Sequence, residues 1–156
     1  MKRNEGAELV ESVNEIIQLA RPMDIVFIKA NIKVLELSLK KGFKVIQAEN
    51  LDLASTLYRK KNDRIFMKEE GSAFSSGDFQ QYLEDNHIGK VYLVGLFASE
   101  CISATCIKGE EIGYEMILVE DGIAARKAKK KDKILAKLLE NGADIINLSA
   151  FEDQME

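Results

Sequence analysis

The segment Val91 to Ala125, VYLVGLFASECISATCIKGEEIGYEMILVEDGIAA, constrains the fold more than any other part of the chain. Val91-Tyr92-Leu93-Val94 is a run of strand formers that breaks at Gly95. A turn over Phe97-Ala98-Ser99 follows, and Cys101 then falls near the first turn of a helix. A second apolar run, Met116-Ile117-Leu118-Val119, ends in Glu120-Asp121-Gly122. Strand, turn, helix and strand in that order make one βαβ unit with a thiol at its carboxyl edge. Open parallel sheets bind ligands at that edge, and the positive end of a helix dipole favours thiolate. Cys101 is therefore the leading candidate for chemistry.

The flanking sequence repeats the alternation. Glu8 to Ala20 reads as a helix with Leu9, Val13, Ile16, Ile17 and Ala20 on one stripe, ended by Pro22. Asp24 to Ile28 is a short continuous apolar run, as in a strand buried on both faces. Ile32 to Lys41 reads as a helix stopped by Gly42, Lys44-Val45-Ile46 as a short strand, and Leu51 to Tyr58 as a further helical turn. Asp63 to Lys68 is a strand that delivers Lys68 to its carboxyl end, followed by a polar loop over 69–77. Asp78 to Asn86 is a helix with Phe79, Tyr82 and Leu83 inward, closed by His87-Ile88-Gly89. A lysine-rich helix from Ala124 to Leu139, capped by Gly142, leads to a last strand, 143–148, and a polar tail, Phe151 to Glu156. Strands alternating with helices argue an α/β fold: five or six mostly parallel strands with helices on both faces. With no repeat, linker or low-complexity segment, residues 1–156 read as a single domain.

Composition narrows the class of function. A net charge of −4 argues against a generic nucleic-acid binder. No apolar run approaches the roughly 20 residues of a membrane span, and the N-terminus has no signal-peptide core, so the expected location is the cytoplasm. The only two cysteines, Cys101 and Cys106, point roughly 140° apart on a helix, which disfavours a disulfide between them. One histidine, His87, with no cysteine cluster beside it, argues against a zinc site; the expectation is no metal and no cofactor. His87 reads as a helix cap and Cys106 as a core residue. The basic run Arg126 to Lys131 reads as a solvated helix face.

Lys68 strengthens the case for Cys101. Both follow buried-looking strands, so a parallel sheet brings both side chains to one edge. There a lysine stabilises a thiolate and hands a proton to a departing amine. GLFASECISATC followed by IGYEMILVEDGIAA resembles the signature block of the isochorismatase-like cysteine hydrolases, the nicotinamidase/isochorismatase superfamily. MKEEGSAFSSGDFQQYL resembles the same family's segment of catalytic lysine, Ser-Ala-Phe and helix. The two blocks span residues 63 to 148. The resemblance implies a three-layer Rossmann-like fold and hydrolysis of a small amide, a small-molecule substrate, without metal in most members. It further implies Cys101 as nucleophile, Lys68 as catalytic lysine, and the backbone N–H groups of Glu100 and Cys101 as oxyanion hole. A cis peptide is expected at Phe97–Ala98, Phe74 and Phe97 are candidate pocket aromatics, and members of the family are often dimers or larger, so a homo-oligomer is expected.

Two departures qualify the resemblance. Family members open with a strand ending in an aspartate that takes the thiol proton. Here residues 8 to 28 read as the helix and strand that follow such a strand; if Asp24 to Ala30 is that strand instead, Lys29 stands at the aspartate position. Ser99 stands where the turn usually carries an acid, and Glu69 and Glu70 are the candidate stand-ins for the missing aspartate. These departures motivate the competing expectation of a non-catalytic relative that keeps the fold for binding or assembly.

Overall fold

The computed structural model describes residues 3–30, 32–38, 42–48 and 55–156. Helix α1, Arg3–Leu19, buries Val13, Ile16 and Ile17, the stripe expected from its period. Strand β1, Val26–Ala30, follows and pairs in parallel with β4, Arg64–Lys68, placing Ala30 opposite Lys68. Between them lies an antiparallel hairpin of β2, Ile32–Ser38, and β3, Gly42–Ala48, in register from Ile32 opposite Ala48 to Ser38 opposite Gly42. The expected helix at 32–41 is therefore a strand. Its apolar residues fit either period, and Gly42 begins the return strand instead of stopping a helix. Of the helical turn expected over 51–58, residues 51–54 lie outside the described residues, and Ser55 and Thr56 form a turn and Leu57 a bend, without a helix.

The second half is built on β5, Lys90–Leu96, β6, Glu115–Ala124, and β7, Asp144–Ile146, parallel and in that spatial order. Helix α2, Gly77–Asp85, leads into β5; the Ser76 side chain caps it by accepting from the Phe79 N–H. His87 ends it at φ 53°, with the Ile88 N–H bonded back to the Leu83 carbonyl at 2.9 Å, so the lone histidine is a helix-terminating residue. Helices α3, Ser103–Glu111, and α4, Lys131–Glu140, complete the crossovers. β6 runs through Glu120-Asp121-Gly122 to Ala124, so the lysine-rich helix starts later than expected, preceded by a short 3-10 turn at Ala128–Lys130. Gly142, at φ 110°, terminates α4 as read from the sequence. The polar tail is instead helix α5, Leu148–Met155. The Asn147 side chain caps it, and Phe151 is 1% exposed, edge-on to Tyr92.

Alternation along the strands sorts these helices into two layers. Met116 and Leu118 of β6 share a core with Leu83 of α2, Cys106 of α3 and Leu138 of α4. Val119 joins Ile16 of α1 and Phe151 of α5 on the opposite face. The three-layer α/β arrangement is as expected, with one correction. Among the described residues the parallel strands form two sets, β1–β4 and β5–β6–β7, not hydrogen-bonded to each other.

Candidate functional site

The carboxyl ends of β4 and β5 carry the candidate residues. β5 bulges between Leu93 and Gly95, where φ is 134°, and ends at Leu96. The cis peptide lies at Leu96–Phe97, one residue before the position expected from the resemblance. Ala98–Ile102 then wind into a π-type turn, with the Ile102 N–H reaching the Phe97 carbonyl at 3.3 Å. Inside it Glu100 takes a non-helical conformation, φ −123° and ψ −106°. Cys101 is half-buried in this turn, and α3 begins two residues later. Of the two expected oxyanion donors, the Glu100 N–H donates to the Phe97 carbonyl at 2.9 Å.

Lys68 is 5% exposed at the end of β4 and donates to the Gly71 carbonyl. The loop that receives it is fastened to α3. The Ala73 N–H donates to Thr105 Oγ1 at 2.9 Å, and a Cβ on Gly71 would meet the Ala104 Cβ at 3.5 Å. Thr105 is buried and lies one helical turn beyond Cys101. The lysine loop and α3 are thus tied together across the two sets of strands. Glu69 and Glu70 point the other way in exposure: both are exposed, and Glu70 is held through its N–H to Ser75 Oγ at 3.1 Å.

The two candidate aromatics separate. Phe74 is 5% exposed, stacked on Tyr114 and against Phe79, and it is a core residue holding the 3-10 turn Ala73–Ser75 on α3. Phe97 is half-buried beneath the Arg126 guanidinium, 4.4 Å from its ring centroid. Arg126 also grips the Glu100 carboxylate with two hydrogen bonds, one of 3.1 Å from Nη2. That contact holds the Glu100 carboxyl below its usual range, so Glu100 stays ionised and engaged with Arg126. Arg126 was hidden in a run of basic residues, and Thr105 carries no signal beyond its spacing of four from Cys101. Cys106, by contrast, is 1% exposed, and burial pushes its thiol up to about 11.

Residues 2–150 match the family model of the isochorismatase domain. The chain belongs to the isochorismatase family. It is similar to a nicotinamidase of Saccharomyces cerevisiae, 38% identical over 48 residues, which are 31% of this chain and 22% of that protein. Against the solved structure of an isochorismatase-like hydrolase from Alkaliphilus metalliredigens the TM-score is 0.79 at 19% identity, covering 97% of this chain and 86% of the other. A pyrazinamidase of Pyrococcus horikoshii, solved in complex with zinc, superposes with a TM-score of 0.73 at 20% identity, covering 92% and 87%. The chain spans from about a fifth to under three fifths of the length of the curated relatives it matches. Among the described residues no three His, Cys, Asp or Glu side chains cluster as they would to hold a metal ion. His87 lies before β5, at the sheet edge opposite Cys101. Among the described residues no helix is long and apolar enough to cross a membrane.

Proposed function

We propose that this isochorismatase-family chain hydrolyses the C–N bond of a small amide through a thioester on Cys101. The observation that supports it most is the pairing of a half-buried thiol in the turn after β5 with a buried ammonium after β4, joined through the Ala73–Thr105 bond. Cys101 Sγ, as thiolate, attacks the carbonyl carbon, and the carbonyl π electrons move to its oxygen. The Cys101 N–H, joined by the Glu100 N–H once it leaves the Phe97 carbonyl, holds that oxyanion; such a donor contributes about 3 kcal/mol. When the oxyanion collapses the C–N bond breaks, and the departing nitrogen takes a proton from the Lys68 ammonium. Water then attacks the thioester, releasing the carboxylic acid and restoring the thiolate, while its proton returns to Lys68.

Nicotinamidase and pyrazinamidase relatives make aromatic carboxamides the first panel. Phe97, half-buried at the rim, offers such a ring a stacking face. The test is ammonia release from that panel by the wild-type chain, Cys101→Ala and Cys106→Ala. Cys101→Ala falls to the uncatalysed level while Cys106→Ala keeps activity; hydrolysis that survives Cys101→Ala would sink the reading.

A further inference from the structure

A polar cavity of about 230 Å³ lies at the amino ends of β1 and β4, the sheet edge opposite Cys101 and Lys68. The connection from α1 to β1 forms one wall, through Arg21 and Asp24. The loop entering β4 forms another, through Lys60, Asn62 and Arg64, and Tyr82 of α2 closes the third. Val26 and Arg64, the first residues of the two strands, stand opposite each other in register. A polar cavity of this size holds water, which a ligand displaces well only by reproducing its hydrogen bonds.

Its charged groups are unevenly used. Three cations (Arg21, Lys60 and Arg64) and two carboxylates (Asp24 and Asp63) line it, in a chain whose net charge is −4. Arg21 and Asp63 hold the walls together. Arg21 Nη1 donates to Asp63 Oδ1 at 2.8 Å, and Nη2 donates to the Tyr58 carbonyl. The Lys60 backbone N–H donates to the other Asp63 oxygen at 2.7 Å. Asp24 engages the Tyr82 hydroxyl, which also meets the Arg64 guanidinium. That guanidinium lies 4.8 Å from the Tyr82 ring centroid, a contact that holds it in place. Among the described residues neither Lys60 nor Arg64 has a carboxylate within ion-pairing distance. The groups left open are donors: the Lys60 ammonium, most of the Arg64 fork and the Asn62 amide.

We propose that this cavity binds a phosphate group, either free phosphate or the ester of a small molecule. A fixed guanidinium, an ammonium and an amide reach it from separate points. They suit a tetrahedral oxyanion, which presents oxygens in several directions, better than a planar carboxylate. The charge balance agrees, since Arg21 neutralises Asp63 while Lys60 and Arg64 together outweigh Asp24. Asp24 supplies an acceptor on the facing wall, and that suits a hydroxyl carried beside the phosphate, as on a phosphorylated polyol. The cavity lies at the other edge of the sheet from the Cys101 turn, so binding there is independent of whether Cys101 is a nucleophile.

The test titrates the intact chain with inorganic phosphate and with glycerol phosphate by calorimetry, with ionic strength held constant by chloride. One equivalent binds per chain. Arg64→Met weakens binding by about tenfold or more, and Arg64→Lys, which keeps the charge and loses the fork, weakens it less. Lys60→Met weakens it by about fivefold. Both side chains are exposed, so neither substitution endangers the fold. Lys129→Met, in the separate basic run before α4, leaves the affinity unchanged. Tighter binding of glycerol phosphate assigns the site to an ester, and equal or weaker binding assigns it to free phosphate. Absence of binding by both, or full affinity in Arg64→Met, would overturn the proposal. So would an equal loss in Lys129→Met, which would mean that scattered surface charge gathers the anion.

Discussion

The two sets of strands differ in how firmly they are held, and the candidate site straddles them. Met116, Leu118 and Val119 of β6 are 0% exposed, clamped between helix layers. In β4, Ile65 and Met67 are each 39% exposed. Cys101 belongs to the firm set, at the end of a strand locked against β6, whereas Lys68 belongs to the looser one. A residue pair drawn from two separately paired sets needs a fastening outside the sheet, and the Ala73–Thr105 bond across to α3 supplies it. Precision in the site therefore depends on a helix-to-loop contact more than on strand pairing.

Breaking the firm set should have the largest effect on stability. Gly122 of β6 lets α1 close on the sheet: a Cβ there would lie 2.7 Å from Val94 Cγ1 and 2.8 Å from Ile16 Cδ1. Both neighbours are β-branched and confined between strand and helix, so neither swings away freely. Gly122→Ala is expected to cost about 3 kcal/mol, the upper end for overpacking, read from the midpoint of urea unfolding. An unchanged midpoint would mean that α1 sits loosely on β6. Breaking the fastening should cost less stability and more function. Thr105→Val preserves shape but strands the Ala73 N–H, at about 1–2 kcal/mol. Amide hydrolysis should fall further than that stability loss explains, with Lys68 no longer held toward Cys101. Equal activity in Thr105→Val would show that the two sets are aligned by other contacts.

The same contrast decides what could be read from the sequence. Val91–Ala125 was legible because β6 is buried on both faces and β5 is half-buried along its length, which makes continuous apolar runs. β4 was legible as a strand, and Lys68 and Cys101 were placed at one edge, because parallel strands share their carboxyl ends. The hairpin was misread because Ile32, Leu35 and Leu39 satisfy helical spacing while Leu35, Leu37 and Leu39 satisfy strand spacing. What selects the strand is the pairing with 42–48, a partner that local pattern does not contain. α5 was mistaken for a tail because one buried residue, Phe151, carries its packing; the Asn147 cap was the signal overlooked. The Arg126–Glu100 grip joins residues 26 apart in sequence, so nothing local announces it. The separation of β1 from β5 is likewise a property of spatial order, invisible in a chain whose elements alternate regularly.

Titration gives the finest test of the contrast, because each half carries its own limb. In the β1–β4 half, the Arg21 guanidinium hydrogen-bonds Asp63 at 2.8 Å and holds its carboxyl below the ordinary value. A depressed carboxyl favours the folded state above about pH 3.9, and that contribution is lost as pH falls through the folded value. Asp63→Asn should therefore flatten the acid limb of stability. In the β5–β6 half, burial raises the Cys106 thiol to about 11. A raised thiol leaves stability intact below about pH 8.5 and takes it away as pH climbs from there through the folded value. Tyr82 and Tyr114, whose phenols burial also raises, add a loss of stability that begins higher, above about pH 10. Cys106→Ala should thus lower the urea midpoint at every pH through lost packing, yet make it decline less steeply between pH 8.5 and about 11. If the two halves unfold as one unit, a single transition should carry both limbs. Should Asp63→Asn and Cys106→Ala each alter a separate transition, the two sets of strands fold independently.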